Sequence, residues 1–237
     1  MHRVALGILL TVAGCRCREA ENLADPPAAR KTVPTRAAPI AAAQRPSLPP
    51  QQQATVIAWS VAEASNTAAA WDAAADAYER ELEDCDDARE DCRETVYAIV
   101  LARRNAYMAE PIKPPEGDKP VSLPPRVQEL VDALDHYAAV GDPDDPDVAG
   151  VKFLAANHLR RWRQPDAIER FEAVLRTHPT TEVAEYAANL LLDTLMRQDR
   201  TEELKVWVAR LLGDAAFLAG KPELEQTLRG LKTALGL

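Results

Sequence analysis

The stretch that decides the fold is VAGVKFLAANHLRRWRQPDAIERFEAVLRTHP, at residues 148–179. Two segments rich in Ala, Leu and Val stand on either side of a short polar stretch that contains Pro165. Apolar residues at three- and four-residue spacings are typical of helices that bury one face. The stretch therefore predicts a helix, a short turn and a second helix.

This helix pair resembles the tetratricopeptide repeat (TPR), a unit of about 34 residues built from two helices. Leu154 and Ala155 match the Leu and the small residue of the first repeat helix. Ala167, Phe171 and Pro179 match the Ala, the aromatic residue and the terminal Pro of the second. Three positions differ from the family pattern, which has Trp, Tyr and Ala there: Val151, His158 and Val174.

The matching positions have a physical role in such a pair. A small residue at Ala167 lets the second helix approach the first closely, and Phe171, one turn later, fills the space beside it. Pro179 ends the helix and turns the chain towards the next pair. The resemblance implies an all-α fold of stacked antiparallel helix pairs, a TPR-like α-solenoid, with a groove for a peptide or protein.

Weaker copies of the pattern flank this block. Ala74 and Tyr78 repeat the Ala and the aromatic residue four positions apart, and residues 180–197 and 201–212 form a further pair. Residues 222–235 predict a terminal amphipathic helix that caps the stack. We favour this TPR-like stack over an irregular helical bundle, which is the alternative for copies this weak.

The composition also favours helices. Apolar residues make up 47% of the 237-residue chain and aromatic residues only 5%, with Ala and Leu dominant. No segment alternates polar residues with Val, Ile or Thr as a strand would. The net charge of the whole chain is −9. Residues 51–237 alone have a net charge of −13, since the leader has +1 and residues 15–50 have +3. A folded region this acidic argues against nucleic acid as a partner.

The first 14 residues resemble a lipoprotein signal peptide. A positive start, MHR, precedes an apolar run over residues 4–14 that is too short to span a bilayer. The run ends in Val12-Ala13-Gly14-Cys15, which resembles the bacterial lipobox. The resemblance implies cleavage before Cys15 and lipidation of that residue. The alternative is an ordinary signal peptide with a chance Cys at its end.

The mature chain divides into four segments. Residues 15–50 are rich in Pro and Ala and predict a disordered tether. Residues 51–110 form a first helical block, residues 111–123 a Pro-rich loop, and residues 124–237 the TPR-like block.

Cys85 and Cys92 frame the segment CDDAREDC. A continuous helix would separate their Cα atoms by about 10.5 Å, whereas a disulfide requires less than about 7 Å. The segment falls where a turn between helices is expected, and an exported chain meets an oxidising compartment. We therefore predict a Cys85–Cys92 disulfide that closes this turn; the alternative is two free thiols on one helix.

No catalytic, cofactor or metal motif is found in the sequence. It contains no pair of His residues one helical turn apart, no Gly-rich phosphate loop, no GxSxG and no HExxH. Arg160, Arg161 and Arg163 lie beside Trp162. Their ordinary interpretation is a cationic helix end, and the alternative is a docking patch for an acidic partner.

These features predict a non-catalytic scaffold anchored by lipid in a Gram-negative cell envelope, which binds an envelope protein or peptide through its helix pairs. Arg16 follows the lipidated Cys where an inner-membrane retention signal would have Asp, so we expect the outer membrane, facing the periplasm. One alternative is an accessory factor or enzyme of envelope or peptidoglycan processing with an unrecognised site. Another is a purely structural spacer.

Overall fold

The computed structural model describes residues 50–83, 90–117, 119–143 and 145–237. Within these ranges the chain is helical and contains no strand, so the predicted all-α fold class is confirmed. The helices are α1 (Pro50–Ser65), α2 (Ala68–Leu82), α3 (Glu90–Ala109), α4 (Pro125–Val140), α5 (Pro146–Arg161), α6 (Ala167–Thr177), α7 (Glu182–Arg197), α8 (Thr201–Gly213), α9 (Ala215–Leu218) and α10 (Pro222–Ala234).

Several predictions fall outside the described residues. The leader, Cys15 and the tether up to residue 49 lie there, whereas Pro50, the last residue assigned to the tether, begins α1. Cys85 also lies there, while Cys92 is in the first turns of α3 with a fully buried side chain.

Local signals set the helix ends. The break between α1 and α2 falls at Asn66, which adopts a left-handed φ of 46°, and the Thr67 hydroxyl accepts a hydrogen bond from the Ala70 N–H at 3.3 Å. Asp145 caps α5 by accepting from the Asp147 N–H at 2.9 Å. Pro146, whose missing N–H costs nothing at a helix start, is the first residue of α5.

The short helix α9 was not predicted. It begins after Asp214, whose side chain accepts a hydrogen bond from the Phe217 N–H at 2.9 Å. Phe217 and Leu218 are both buried. Four residues are too few for a periodic pattern to appear in the sequence, so only the cap signalled this turn.

Each helix packs against the next one along the chain, from α1 to α10. Contacts beyond nearest neighbours join α5 to α7 and α8 to α10. Alanines make the close approaches possible, because Ala62, Ala74 and Ala102 are fully buried and keep no bulk between the backbones.

Helix α5 contributes to two hydrophobic clusters. Val151, Ala155 and Leu159 pack in a cluster with residues of α1 to α4. Phe153 and Ala156 pack in a second cluster with residues of α6 to α10. The core therefore runs through both faces of α5.

Candidate docking surfaces

The TPR-like positions lie at the contacts of α5 and α6. Ala155 and Ala167 are each 1% exposed and Phe171 is fully buried, while Leu154 is partly buried against the first cluster. Pro179 follows the end of α6 by two residues and is half-buried. Phe171 packs on the ring of Phe153, 6.0 Å away between centroids. Phe153 was not identified from the sequence, because the repeat pattern assigns a packing role to its neighbour Leu154 instead.

Alternate helices α5 and α7 lie side by side. The Arg160 guanidinium on α5 approaches the Asp193 carboxylate on α7, with 3.5 Å between Nη1 and Oδ2. Arg160 Nε also donates to Asn157 Oδ1 at 3.2 Å. Deeper in the same contact, the rings of Phe153 and Tyr186 are 6.3 Å apart. The two helices therefore form one continuous surface.

This surface, which we call the α5–α7 surface, consists of Asn157, Arg160, Tyr186, Asn189 and Asp193. The three members on α7 recur at spacings of three and four residues, which places them on one helix face. Its guanidinium, amide, carboxylate and phenol groups supply both donors and acceptors. Groups of this kind can form hydrogen bonds with the backbone of a peptide. The three- and four-residue spacing of the α7 members was the signal by which sequence reasoning could have found this surface.

The Tyr186 hydroxyl donates to Glu182 Oε1 at 3.0 Å. This hydrogen bond, with desolvation and the nearby Glu182 and Glu185 charges, raises the pKa of Tyr186 above its ordinary value. The phenol therefore stays protonated and available as a hydrogen-bonding group through the neutral range.

The alternative interpretation of Arg160, Arg161, Trp162 and Arg163 as one docking patch requires correction. Trp162 is only 4% exposed and belongs to the first cluster, and of the four residues only Arg161 is exposed. Arg160 contributes instead to the α5–α7 surface. The four side chains do not form one exposed basic and aromatic patch, because burying the indole stabilises the core more than display would.

The last of those residues binds the Pro-rich loop. Arg163 Nη1 donates to the Pro115 carbonyl at 2.9 Å, and Gln164 Nε2 donates to the Val121 carbonyl at 2.6 Å. The Val121 N–H in turn donates to the Trp162 carbonyl at 3.3 Å. The turn between α5 and α6 thus holds the described part of the loop in place.

A second surface lies on the first helix. One side of α1 packs on α2 through Thr55, Ala62 and Trp59, whose ring meets Trp71 edge-on at 5.1 Å. The opposite side, which we call the α1 outer face, consists of Gln53, Ile57, Ser60, Val61 and Ala64, all exposed. Ile57 is 63% exposed and Val61 54%, and Val56 borders the face at 52%.

Burying the α1 outer face against another surface would be favourable in free energy. Full burial of one aliphatic side chain is worth about 1.5–3 kcal/mol, so covering three half-exposed ones would contribute ~2–4 kcal/mol. Glu63 is the one charged residue among the 16 residues of α1. An aliphatic, nearly uncharged helix face is typical of an interface rather than of a solvated surface.

A buried arginine joins α2, α3 and α4. The Arg103 side chain is 8% exposed and lies 2.7 Å from Asp76, 2.9 Å from Glu79 and 3.2 Å from Glu129. Burial acts to lower the pKa of Arg103, but the hydrogen bond to Glu79 and the surrounding carboxylates raise it above its ordinary value. The cluster holds a charged guanidinium at the meeting point of three helices.

Among the described residues, no group of three or more His, Cys, Asp or Glu side chains is arranged to hold a metal ion. In the same part of the chain, every helix is too short or too polar to cross a membrane. Comparison of the chain with protein-family models, with curated proteins and with solved structures finds no match.

Proposed function

We propose that this chain is a non-catalytic scaffold, anchored by lipid at Cys15, that binds a protein or peptide of a bacterial cell envelope. The helices stack as TPR-like pairs in this proposal, with α5 and α6 as one pair and α7 and α8 as the next. The tether that precedes α1, residues 15–49, holds the helical part away from the membrane. The location that Arg16, directly after the lipidated Cys, favours is the outer membrane, facing the periplasm.

The observation on which the proposal chiefly rests is the contact between α5 and α7. In a stack of helix pairs, the first helices of successive pairs lie next to each other and line one surface. The approach of Arg160 to Asp193 across these helices fits that arrangement. Burial of Ala167 and Phe171, the positions that the TPR resemblance singles out, supports the same pairing.

Photo-crosslinking in the native host tests the docking role of the α5–α7 surface. A benzophenone amino acid would replace Asn189 or Met196, which are exposed and seven residues apart on α7. The matched controls are Glu169 on α6 and Gln226 on α10, both exposed on other helices. We expect both α7 positions, and neither control, to capture the same envelope protein. The same capture from all four positions, or none from α7, would count against the proposal.

The anchor is tested separately. Radiolabelled palmitate should enter the full chain, and Cys15→Ala should abolish the labelling. Cys17→Ala, two residues away, is the matched control and should leave labelling unchanged. Labelling that persists in Cys15→Ala would overturn the lipid anchor while leaving the docking role standing.

A further inference from the structure

The orientation of α1 on the rest of the protein is fixed. Trp59 lies between Trp71 and Tyr78, with ring centroids 5.1 and 5.9 Å away in edge-on geometry. The buried hydroxyl of Thr55 donates to Glu81 Oε2 on α2 at 2.9 Å. These contacts determine which side of α1 remains uncovered, so exposure of the α1 outer face does not depend on how the helix rotates.

The two ends of the helix array differ in chemistry. The last helix, α10, buries Leu224 and Leu228 and exposes Glu223, Arg229 and Lys232, as a terminal helix in contact with water should. Helix α1 exposes Val56, Ile57 and Val61 instead. The first end of the described array is therefore left open where the last end is closed by a polar face.

We propose that the α1 outer face is the interface of a symmetric dimer, in which α1 of one copy packs antiparallel on α1 of a second copy. The spacing of its residues allows this arrangement. Gln53, Ile57, Ser60 and Ala64 recur every four, three and four residues, the repeat by which helices pair along one seam. A two-fold axis between Ser60 and Val61 places Ile57 of each copy opposite Ala64 of the other, so a large residue meets a small one.

Charge selects a second copy as the occupant. Residues 51–237 have a net charge of −13, so two copies repel each other over most of their surfaces. Helix α1 is the exception, because its 16 residues include one acidic and no basic residue. A face without charges is complementary to itself, as a two-fold interface requires.

A membrane surface fits the face less well. Helices that lie in the membrane interface usually have Lys or Arg beside their apolar side, where these residues meet anionic headgroups. Helix α1 has neither, and Glu63 is the charge at its margin. The area of one helix face belongs to the low end of specific interfaces, below about 1,200 Å², so we expect a reversible dimer.

Crosslinking tests the proposal on the full chain in unfractionated cell lysate. Ser60→Cys places a thiol beside the proposed axis, and a short bis-maleimide should link two chains through it more than it links the parent chain. Thr227→Cys, exposed on α10, is the matched control and should give no more dimer than the parent. A dimer from Thr227→Cys equal to that from Ser60→Cys would overturn the interface.

A charge placed in the interface gives the second measurement. Adding Ile57→Lys to Ser60→Cys should lower the crosslinked dimer about tenfold or more, because each copy would present a lysine to the other. Val206→Lys is the matched control: Val206 on α8 is 64% exposed and Ile57 63%, so both changes leave the core intact. An equal effect of the two substitutions would contradict the proposal.

The other occupants of the face give different results. If the membrane covers it, the Ser60→Cys thiol fails to crosslink and reacts with a water-soluble maleimide only after detergent is added. If residues 36–49 of the same chain cover it, the thiol fails to crosslink and stays protected in detergent until that segment is deleted. A thiol that reacts freely and does not crosslink means that nothing covers the face. Each of these three results would overturn the dimer.

Discussion

Arg163 Nε donates a hydrogen bond to the carbonyl oxygen of Lys119 at 2.6 Å, across 44 residues of sequence. The same guanidinium reaches the Pro115 carbonyl. Arg163 also has a left-handed backbone, with φ at 56°, in the turn that follows α5. One residue thus shapes the turn between α5 and α6 and holds the Pro-rich loop against it.

Removing that side chain should loosen the loop. In Arg163→Ala we expect Glu-specific protease to cleave after the exposed Glu116 about tenfold faster or more, because hydrogen bonds from a charged group are worth about 1.5–3 kcal/mol. Arg163→Gly tolerates the left-handed φ and isolates the loss of the side chain. Arg161→Ala, at an exposed neighbour, is the control and should be cleaved at the rate of the parent protein. If both Arg163 variants were also cleaved at that rate, the contact between Arg163 and the loop would be refuted.

Replacing the buried Arg103 should destabilise the whole protein. Arg103→Met keeps most of the volume but leaves Asp76, Glu79 and Glu129 without their shared cation, and we expect a loss of about 2–4 kcal/mol in the free energy of unfolding. Chemical denaturation measures it. The matched control is Arg197→Met: Arg197 pairs with Asp193 at 3.0 Å but is 68% exposed, so its loss should cost about 0.5 kcal/mol or less. Similar losses in the two variants would contradict the importance of burial.

Phe171 is the side chain whose truncation should cost most in the second cluster. It is fully buried and packs on Phe153, so Phe171→Ala should lower the free energy of unfolding by about 3–5 kcal/mol. Met196→Ala, at a position 43% exposed, should change it by about 0.5 kcal/mol or less. A loss below about 1 kcal/mol for Phe171→Ala would mean that α6 is not packed as described.

The raised pKa of Tyr137 leads us to expect a loss of stability at alkaline pH. Burial, followed by the charges of Asp145 and Asp147, raises the pKa of Tyr137 from 10.0 to about 12. The folded state therefore holds this proton more tightly than the unfolded state does. Its contribution is complete below pH 10 and is lost as the pH rises towards 12. Tyr137→Phe should flatten the decline in stability over that range, and an unchanged slope would exclude this phenol as its cause.

The Cys85–Cys92 disulfide stays a prediction, since Cys85 lies outside the described residues. Closing a loop this short contributes about 2–3 kcal/mol to the free energy of unfolding. Alkylation of the denatured, unreduced chain followed by peptide mass measurement would find residues 85 and 92 joined and unalkylated. Alkylated thiols at both positions would contradict the pairing, and Cys92→Ala should then lose only what its buried side chain contributes.

Local chemistry made much of the fold predictable. The helix ends at Asn66, Pro146 and Gly141 follow from turn and capping preferences that act within a few residues. The periodicity of α5 and α6 showed which residues are apolar on one face. It did not reveal that α5 has two buried faces, because Phe153 and Val151 belong to different clusters that only the packing of α1 to α4 and α6 to α10 creates.

The basic residues at the end of α5 show where sequence reasoning was insufficient. Arg160, Arg161, Trp162 and Arg163 look like one patch because they are adjacent in sequence. Their surroundings come from distant segments. Helix α7 faces Arg160, the first cluster encloses Trp162, and a carbonyl of the Pro-rich loop accepts a hydrogen bond from Arg163. At the end of a helix, the side chains of adjacent residues point in different directions, so adjacency in sequence did not predict a shared surface.

The sequence by itself determined that the chain after residue 50 is mainly helical and which of its residues are apolar, because those properties depend on the residues themselves and on neighbours a few positions away. The tertiary structure decided which apolar residues stay uncovered and which charges are paired. Ile57 and Trp59 are two residues apart on α1, yet Ile57 is exposed and Trp59 packs on Trp71. Only the position of α2 distinguishes them, since a side chain is buried by what packs against it.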